Sequence, residues 1–176
     1  MADLRQKVKE DRGLYKKIEL AIPGFRGYRK REDLRIADRL LRELLVNRMS
    51  QAAKLMEDSR AILVKRKALG LLEDVGNLVI RMNTAVETVR HAEQGYTGVS
   101  PDYRIEEDEL NMMYEWDLGL MDDVEVLNQI AGNMKSSAQT LPESKLAEDI
   151  NRSMNSLADF EKLFDQRREA FAGLTV

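Results

Sequence analysis

From Gly24 to Ser100 the chain contains no proline, and apolar residues recur every three or four positions along most of this stretch. That spacing places them on one side of an α-helix. The apolar stripe runs from Leu34 to Val89 and ends before Gly95. A single helix of about 64 residues would be roughly 96 Å long, which exceeds the usual length in compact domains. We therefore expect the chain to reverse direction within the stripe.

The position of the reversal is less constrained than its existence. Asp58 and Ser59 are residues that commonly cap helices, so the break is expected at residues 57–60. Leu69-Gly70 and Gly76-Asn77 are later alternatives.

Turn and cap residues mark the other helix ends. Ile22-Pro23-Gly24-Phe25 suits a type II turn, and Thr140-Leu141-Pro142-Glu143 has the spacing of a capping box. We predict an all-α, antiparallel helical bundle of four to five helices with coiled-coil-like long helices. It forms a single domain over 1–176, with helices at about 3–20, 31–57, 60–94, 102–135 and 141–172.

Composition agrees with this class and restricts the chemistry. Charged residues make up 34% of the chain, aromatic residues 6%, and there is no cysteine. The chain therefore has no disulfide and no thiolate ligand or nucleophile. The polar first residues do not resemble a secretory signal, and no apolar stretch approaches the length of a membrane span. We expect a cytoplasmic protein without a transmembrane segment.

The net charge of −3 conceals an uneven distribution. Residues 1–67 carry 19 Lys/Arg and 10 Asp/Glu, whereas residues 68–176 carry 9 and 21. Basic helices packed on acidic helices would explain the asymmetry, and so would two surfaces for different partners.

Catalytic and metal sites find little support in the residues. His91 is the one histidine, and Glu87 lies four positions before it, whereas dimetal bundle sites need Glu-x-x-His pairs. We expect no enzyme activity, no metal and no cofactor. A metal-dependent bundle enzyme remains the third-ranked hypothesis.

The segment 25–31 interleaves aromatic and basic residues, as single-stranded nucleic acid binding requires. Arg35, Arg39 and Arg42 extend the positive charge along the next helix. The alternative is that these arginines pair with acidic residues within the chain. RNA- or ribosome-associated binding by the basic N-terminal third is therefore the second hypothesis.

Three blocks are similar to a family of uncharacterised prokaryotic helical proteins with an Ile-Pro-Gly-(Tyr/Phe)-x-Gly-Tyr motif. They are Ile22-Pro23-Gly24-Phe25-Arg26-Gly27-Tyr28, Gly95-Tyr96-Thr97-Gly98 and Met113-Tyr114-Glu115-Trp116-Asp117. The resemblance implies one coherent domain and carries no catalytic role.

If the stripe reverses near residue 58, the two glycine- and tyrosine-containing loops meet at one end of the bundle. Our first hypothesis is a non-catalytic protein-interaction or scaffold protein that docks a partner there. The chain could also form homo-oligomers through its long helices. The alternative is a structural plug, in which the same aromatic residues close the core. The candidate partner-binding residues are Phe25, Arg26, Tyr28, Arg29, Lys30, Arg31, His91 and Tyr96.

Overall fold

The computed structural model describes residue 13 and residues 15–25, 31–92, 107–140 and 143–173. This part of the chain is α-helical and contains no strand, which confirms the predicted all-α helical bundle. Residues 15–21 are helical and form α1. The longer helices are α2 (Arg31–Arg66), α3 (Leu72–His91), α4 (Glu107–Thr140) and α5 (Glu143–Gly173). No described helix is apolar over a length that could cross a bilayer.

The chain divides into two compact units, and the single domain over 1–176 stays a prediction. Unit 1 comprises Met1–Leu44, Glu93–Met121 and Leu163–Val176, and unit 2 comprises Leu45–Ala92 and Asp122–Lys162. Helices α2, α4 and α5 contribute residues to both units, whereas α3 belongs wholly to unit 2.

The break in the long apolar stripe lies after Arg66, so the predicted boundary at residues 57–60 is wrong. Ser59 is fully buried inside α2, and its hydroxyl donates to the Leu55 carbonyl oxygen at 2.8 Å. This bond to the preceding turn keeps the serine within the helix instead of capping a new one. The alternative break at Leu69-Gly70 agrees with the structure.

A Schellman motif ends α2. The Ala68 N–H donates to the Leu63 carbonyl at 3.0 Å, and the Lys67 N–H donates to the Val64 carbonyl at 3.1 Å. Lys67 has a φ of 58°, a left-handed conformation that usually favours glycine. The helix therefore ends at a lysine, where a glycine would have marked the end of the helix in the sequence.

The junction of α4 and α5 also differs from the prediction. We expected α4 to end near residue 135 and Thr140 to cap the last helix, but α4 continues to Thr140. The Thr140 hydroxyl donates to the Ser136 carbonyl at 3.1 Å, and Ser136 makes the same bond to Gly132 at 3.2 Å. These hydroxyl groups bond backward along α4 and do not cap the last helix, which the structure describes from Glu143.

The predicted type II turn at residues 22–25 is confirmed. The Phe25 N–H donates to the Ile22 carbonyl at 3.1 Å, and Gly24 has a φ of +86°. Proline presets the first central position, and glycine supplies the positive φ of the second. The turn brings Phe25 back against the helical core of unit 1.

Cross-helix contacts in unit 2 establish the helix directions. Going along α2, the contacts with α4 move toward its C-terminal end: Arg48 contacts Glu125, Asp58 contacts Lys135, and Arg66 contacts Ala138. These two helices are therefore parallel. Ser137 of α4 donates to Asp149 of α5, whereas the earlier Met134 contacts the later Ser153. Helices α4 and α5 are therefore antiparallel, as predicted. The most deeply buried apolar residues of unit 2 are Leu45, Met49, Ala52, Met56, Leu63, Val75, Leu78, Met82, Val124, Leu127, Ala131, Met134, Ala138, Leu146 and Leu157.

Candidate functional site

Phe25, the first residue of the predicted partner site, lies in the core of unit 1 with only 3% of its surface exposed. Its ring centroid is 6.2 Å from those of Tyr15 and Tyr114, which are themselves 6.0 Å apart. The rings are tilted or edge-to-face, which is the favourable geometry for aromatic pairs. Phe25 thus joins α1, the turn and α4, as the plug alternative requires.

His91, another predicted site residue, lies in the last turn of α3 with 76% of its side chain exposed. Its Nε2 atom is 3.2 Å from a carboxylate oxygen of Glu87, one turn earlier. The residues Arg26, Tyr28, Arg29, Lys30 and Tyr96, with the side chain of Arg31, lie outside the described residues. The meeting of the two loops therefore stays a prediction.

The basic stripe on α2 is engaged in ion pairs where its side chains are described. Arg42 lies 2.9 Å from Asp38 and is mostly buried, whereas Arg39 lies 3.8 Å from Glu43 and is exposed. The side chain of Arg35 lies outside the description. For Arg39 and Arg42 the contacts agree with internal pairing, which was the alternative to nucleic acid binding.

Unit 1 contains a buried chain of alternating charges that the sequence analysis missed. Arg167 of α5 donates through Nε to Asp117 of α4 at 2.7 Å and through Nη1 to Asp38 of α2 at 2.8 Å. Arg42 contacts the other oxygen of Asp38. Asp117 is fully buried, and both Arg167 and Asp38 expose no more than 7% of their side chains.

These contacts give the buried charges a structural role. Guanidinium groups stay protonated, so each carboxylate is an ion-paired acceptor. Because Asp117 is fully buried, it has no surface through which to contact a substrate. A signal for the cluster did exist, since Asp38, Asp117 and Arg167 each lie three positions from an apolar core residue on the same helix.

Two acidic side chains of unit 2 have altered pKa values. Burial raises the pKa of Asp123 above 3.8, with smaller contributions from the neighbouring Asp159 and Asp122 carboxylates. By contrast, a 2.7 Å hydrogen bond from Lys135 lowers the pKa of Asp58. Among the described side chains no group of three or more His, Asp or Glu residues is arranged to hold a metal ion.

The outward face of α3 is the second feature that the sequence analysis missed. Its buried residues form one side of the helix, and the opposite side carries Ile80 with 65% of its surface exposed. The residues three and four positions away from Ile80 are Gly76, Asn77, Asn83 and Thr84, all uncharged. In a chain with 34% charged residues this is a local depletion of charge.

Other exposed apolar residues have charged neighbours at the same spacing. Val64 has Arg60 and Lys67, and Val126 has two aspartates at residues 122 and 123. Arg81 is the one charge between residues 75 and 86, and it turns toward α5, where it donates to Glu161 at 2.7 Å. The sequence feature that could have indicated this surface is therefore the scarcity of charged residues between 75 and 86, rather than a motif.

We call this surface the α3 face and define it by Glu73, Asn77, Ile80, Thr84, Glu87 and His91, all of which are exposed. Their spacing of four, three, four, three and four positions is that of a coiled-coil seam. Apolar and uncharged polar groups lie at its centre, and charged groups lie toward its ends. Protein interfaces have the same pattern, with charge depleted at the core and a polar rim.

Comparison with known proteins identifies no relative. No family model matches the chain, and neither a curated protein nor a solved structure matches it significantly. The resemblance to a prokaryotic helical family stays a prediction.

Proposed function

We propose that this chain is a non-catalytic protein-interaction protein and that the α3 face is its binding surface. The observation that carries the proposal is the exposed Ile80 surrounded at helical spacing by uncharged residues. Burying such a centre in a complex removes apolar surface from water without the desolvation of charged groups. His91, selected from the sequence as a partner residue, lies at one end of the same face. A scaffold role and a cytoplasmic location belong to the proposal.

The non-catalytic part of the proposal is supported by the use of the buried charges. Asp38, Asp117 and Arg167 join three helices of unit 1 and are consumed in ion pairs with one another. The exposed Glu87 contacts Arg90 and His91 on its own helix. The buried ion pairs therefore join α2, α4 and α5 within unit 1.

A capture experiment tests the proposal with two matched variants of the full chain. Ile80→Glu places a charge at the centre of the α3 face, whereas Val64→Glu places the same charge at an exposed apolar residue elsewhere in unit 2. Both are surface substitutions, so circular dichroism should show the same helicity for both proteins. Tagged proteins are incubated with native cell extract, and retained proteins are identified by mass spectrometry.

We expect at least one partner that binds the original chain and Val64→Glu but not Ile80→Glu. Retention of every partner by Ile80→Glu would remove the α3 face as the binding surface. Co-purified nucleic acid that is released by salt, with no protein partner, would instead support the RNA-binding alternative.

A further inference from the structure

We infer that the α3 face binds a second copy of the same chain, with the two α3 helices packed antiparallel. The inference rests on the proposed function and names its partner. It is carried by the groups at the two ends of the face, the Glu73 carboxylate and the His91 imidazole, because they face each other only when one copy is reversed.

The register follows from the positions of the six residues. A twofold axis at residue 82 places Glu73 of one copy opposite His91 of the other, because the two are equally distant from that residue. The same axis places Asn77 opposite Glu87 and Ile80 opposite Thr84. Every contact then occurs twice, as in any interface that uses the same patch on both subunits.

The alternatives to this arrangement bring like charges together. Parallel helices in register would oppose Glu73 to Glu73 and Glu87 to Glu87. An antiparallel pair shifted by about one turn, with its axis at Ile80, would oppose Glu73 to Glu87. Opposed carboxylates are destabilising, whereas an imidazole opposite a carboxylate offers an N–H donor and, when protonated, an opposite charge. Antiparallel packing also places the positive start of each helix dipole beside the negative end of the other.

The size of the face limits the affinity. Helix α3 has 20 residues, and at 1.5 Å per residue it is about 30 Å long. One helix against one helix buries less than the roughly 1,200 Å² at which stable interfaces begin, so the dimer is a weak and reversible one. We expect a Kd on the order of 10–100 μM.

Sedimentation of the full chain measures this equilibrium, with protein concentrations up to about 500 μM to exceed the expected Kd. The original chain should convert reversibly from monomer to dimer over that range. Ile80→Glu should raise the Kd at least tenfold, because it places two carboxylates in the centre of the interface. Val64→Glu should leave the Kd within about twofold of the original, since Val64 is not on α3.

A charge exchange tests the antiparallel register itself. His91→Glu alone opposes two carboxylates at both ends of the dimer, and Glu73→Lys alone removes the carboxylate that faces His91, so each should raise the Kd, the first by about fivefold. The double variant Glu73→Lys/His91→Glu opposes unlike charges again and should return the Kd to within about twofold of the original. A double variant as weak as the two effects multiplied would overturn the register.

The outcomes separate this inference from the proposed function. A chain that stays monomeric at every concentration, or whose dimer is unaffected by Ile80→Glu, overturns the second-copy inference. The proposed function still stands in that case if Ile80→Glu loses a captured partner that Val64→Glu retains. If Ile80→Glu changes neither the dimer nor the captured partners, both proposals fail.

Discussion

Replacing Arg167 by methionine should be among the most destabilising single changes in unit 1. Its guanidinium makes two charge-assisted hydrogen bonds of 2.7 and 2.8 Å, to Asp117 and Asp38, and all three side chains are at least nine-tenths buried. Methionine retains much of the aliphatic volume of arginine, so the main loss is electrostatic rather than a cavity. Removing one partner of a buried ion pair leaves an uncompensated charge and costs about 3–5 kcal/mol of unfolding free energy.

An exposed pair of the same chemistry provides the control. Arg48 donates to Glu125 at 3.0 Å, but a third of the arginine and half of the glutamate side chain are exposed. Water already solvates such charges, so Arg48→Met should cost less than about 1 kcal/mol. Both variants make the same residue change and break pairs with carboxylates, so the difference between them reports the greater burial and the second ion pair of Arg167.

Urea unfolding followed by circular dichroism at 222 nm measures both variants. The transition is fitted separately for each cooperative step, because two compact units need not unfold together. Adding Asp117→Asn to Arg167→Met removes the charge left behind and should recover about 1–2 kcal/mol of the loss. A cost for Arg167→Met no larger than that of Arg48→Met would refute the argument that burial makes this cluster important.

Four further substitutions test local features of the helices. Lys67→Gly relieves the left-handed backbone at the end of α2 and should raise the unfolding free energy by about 0.5–1 kcal/mol in the same urea assay. Gly132→Ala should stabilise α4 by about 0.5–1 kcal/mol because a Cβ there meets nothing within 4 Å, while Gly119→Ala should lack this gain because its Cβ would approach Leu163 to 2.8 Å. Burial raises the pKa of Asp123, so its ionised form is disfavoured in the folded state at neutral pH. Asp123→Asn should therefore raise Tm at pH 7 by about 1–2 °C, and the gain should vanish as pH falls below the unfolded pKa of 3.8. An equal gain in Tm for Asp123→Asn at pH 3 and pH 7 would contradict the role assigned to the Asp123 carboxylate. A stabilising Gly119→Ala would contradict the close approach to Leu163, and a destabilising Lys67→Gly would contradict the cost of the left-handed backbone at Lys67.

Local pattern was sufficient for the helices and for the first turn. Apolar spacing identifies the face of a helix whatever it packs against, and Leu41, Met49 and Met82, which lie within the predicted stripe from Leu34 to Val89, are buried. Proline and glycine restrict φ by their own covalent structure, and the turn at residues 22–25 followed from them. The exposed Leu69, which the same stripe included, shows that periodicity continues through a break without marking it.

The sequence by itself determined the helical class, the apolar faces and the type II turn, because each depends on residues within a few positions of one another. Only the tertiary structure decided that Ser59 stays inside α2, that Arg167 pairs with two aspartates far away in the chain, and that Ile80 faces outward. The physical reason is that burial and ion pairing depend on which helix covers a given face. Helical spacing specifies the direction in which a side chain points, but only the packed neighbours determine whether it meets a core, a countercharge or water.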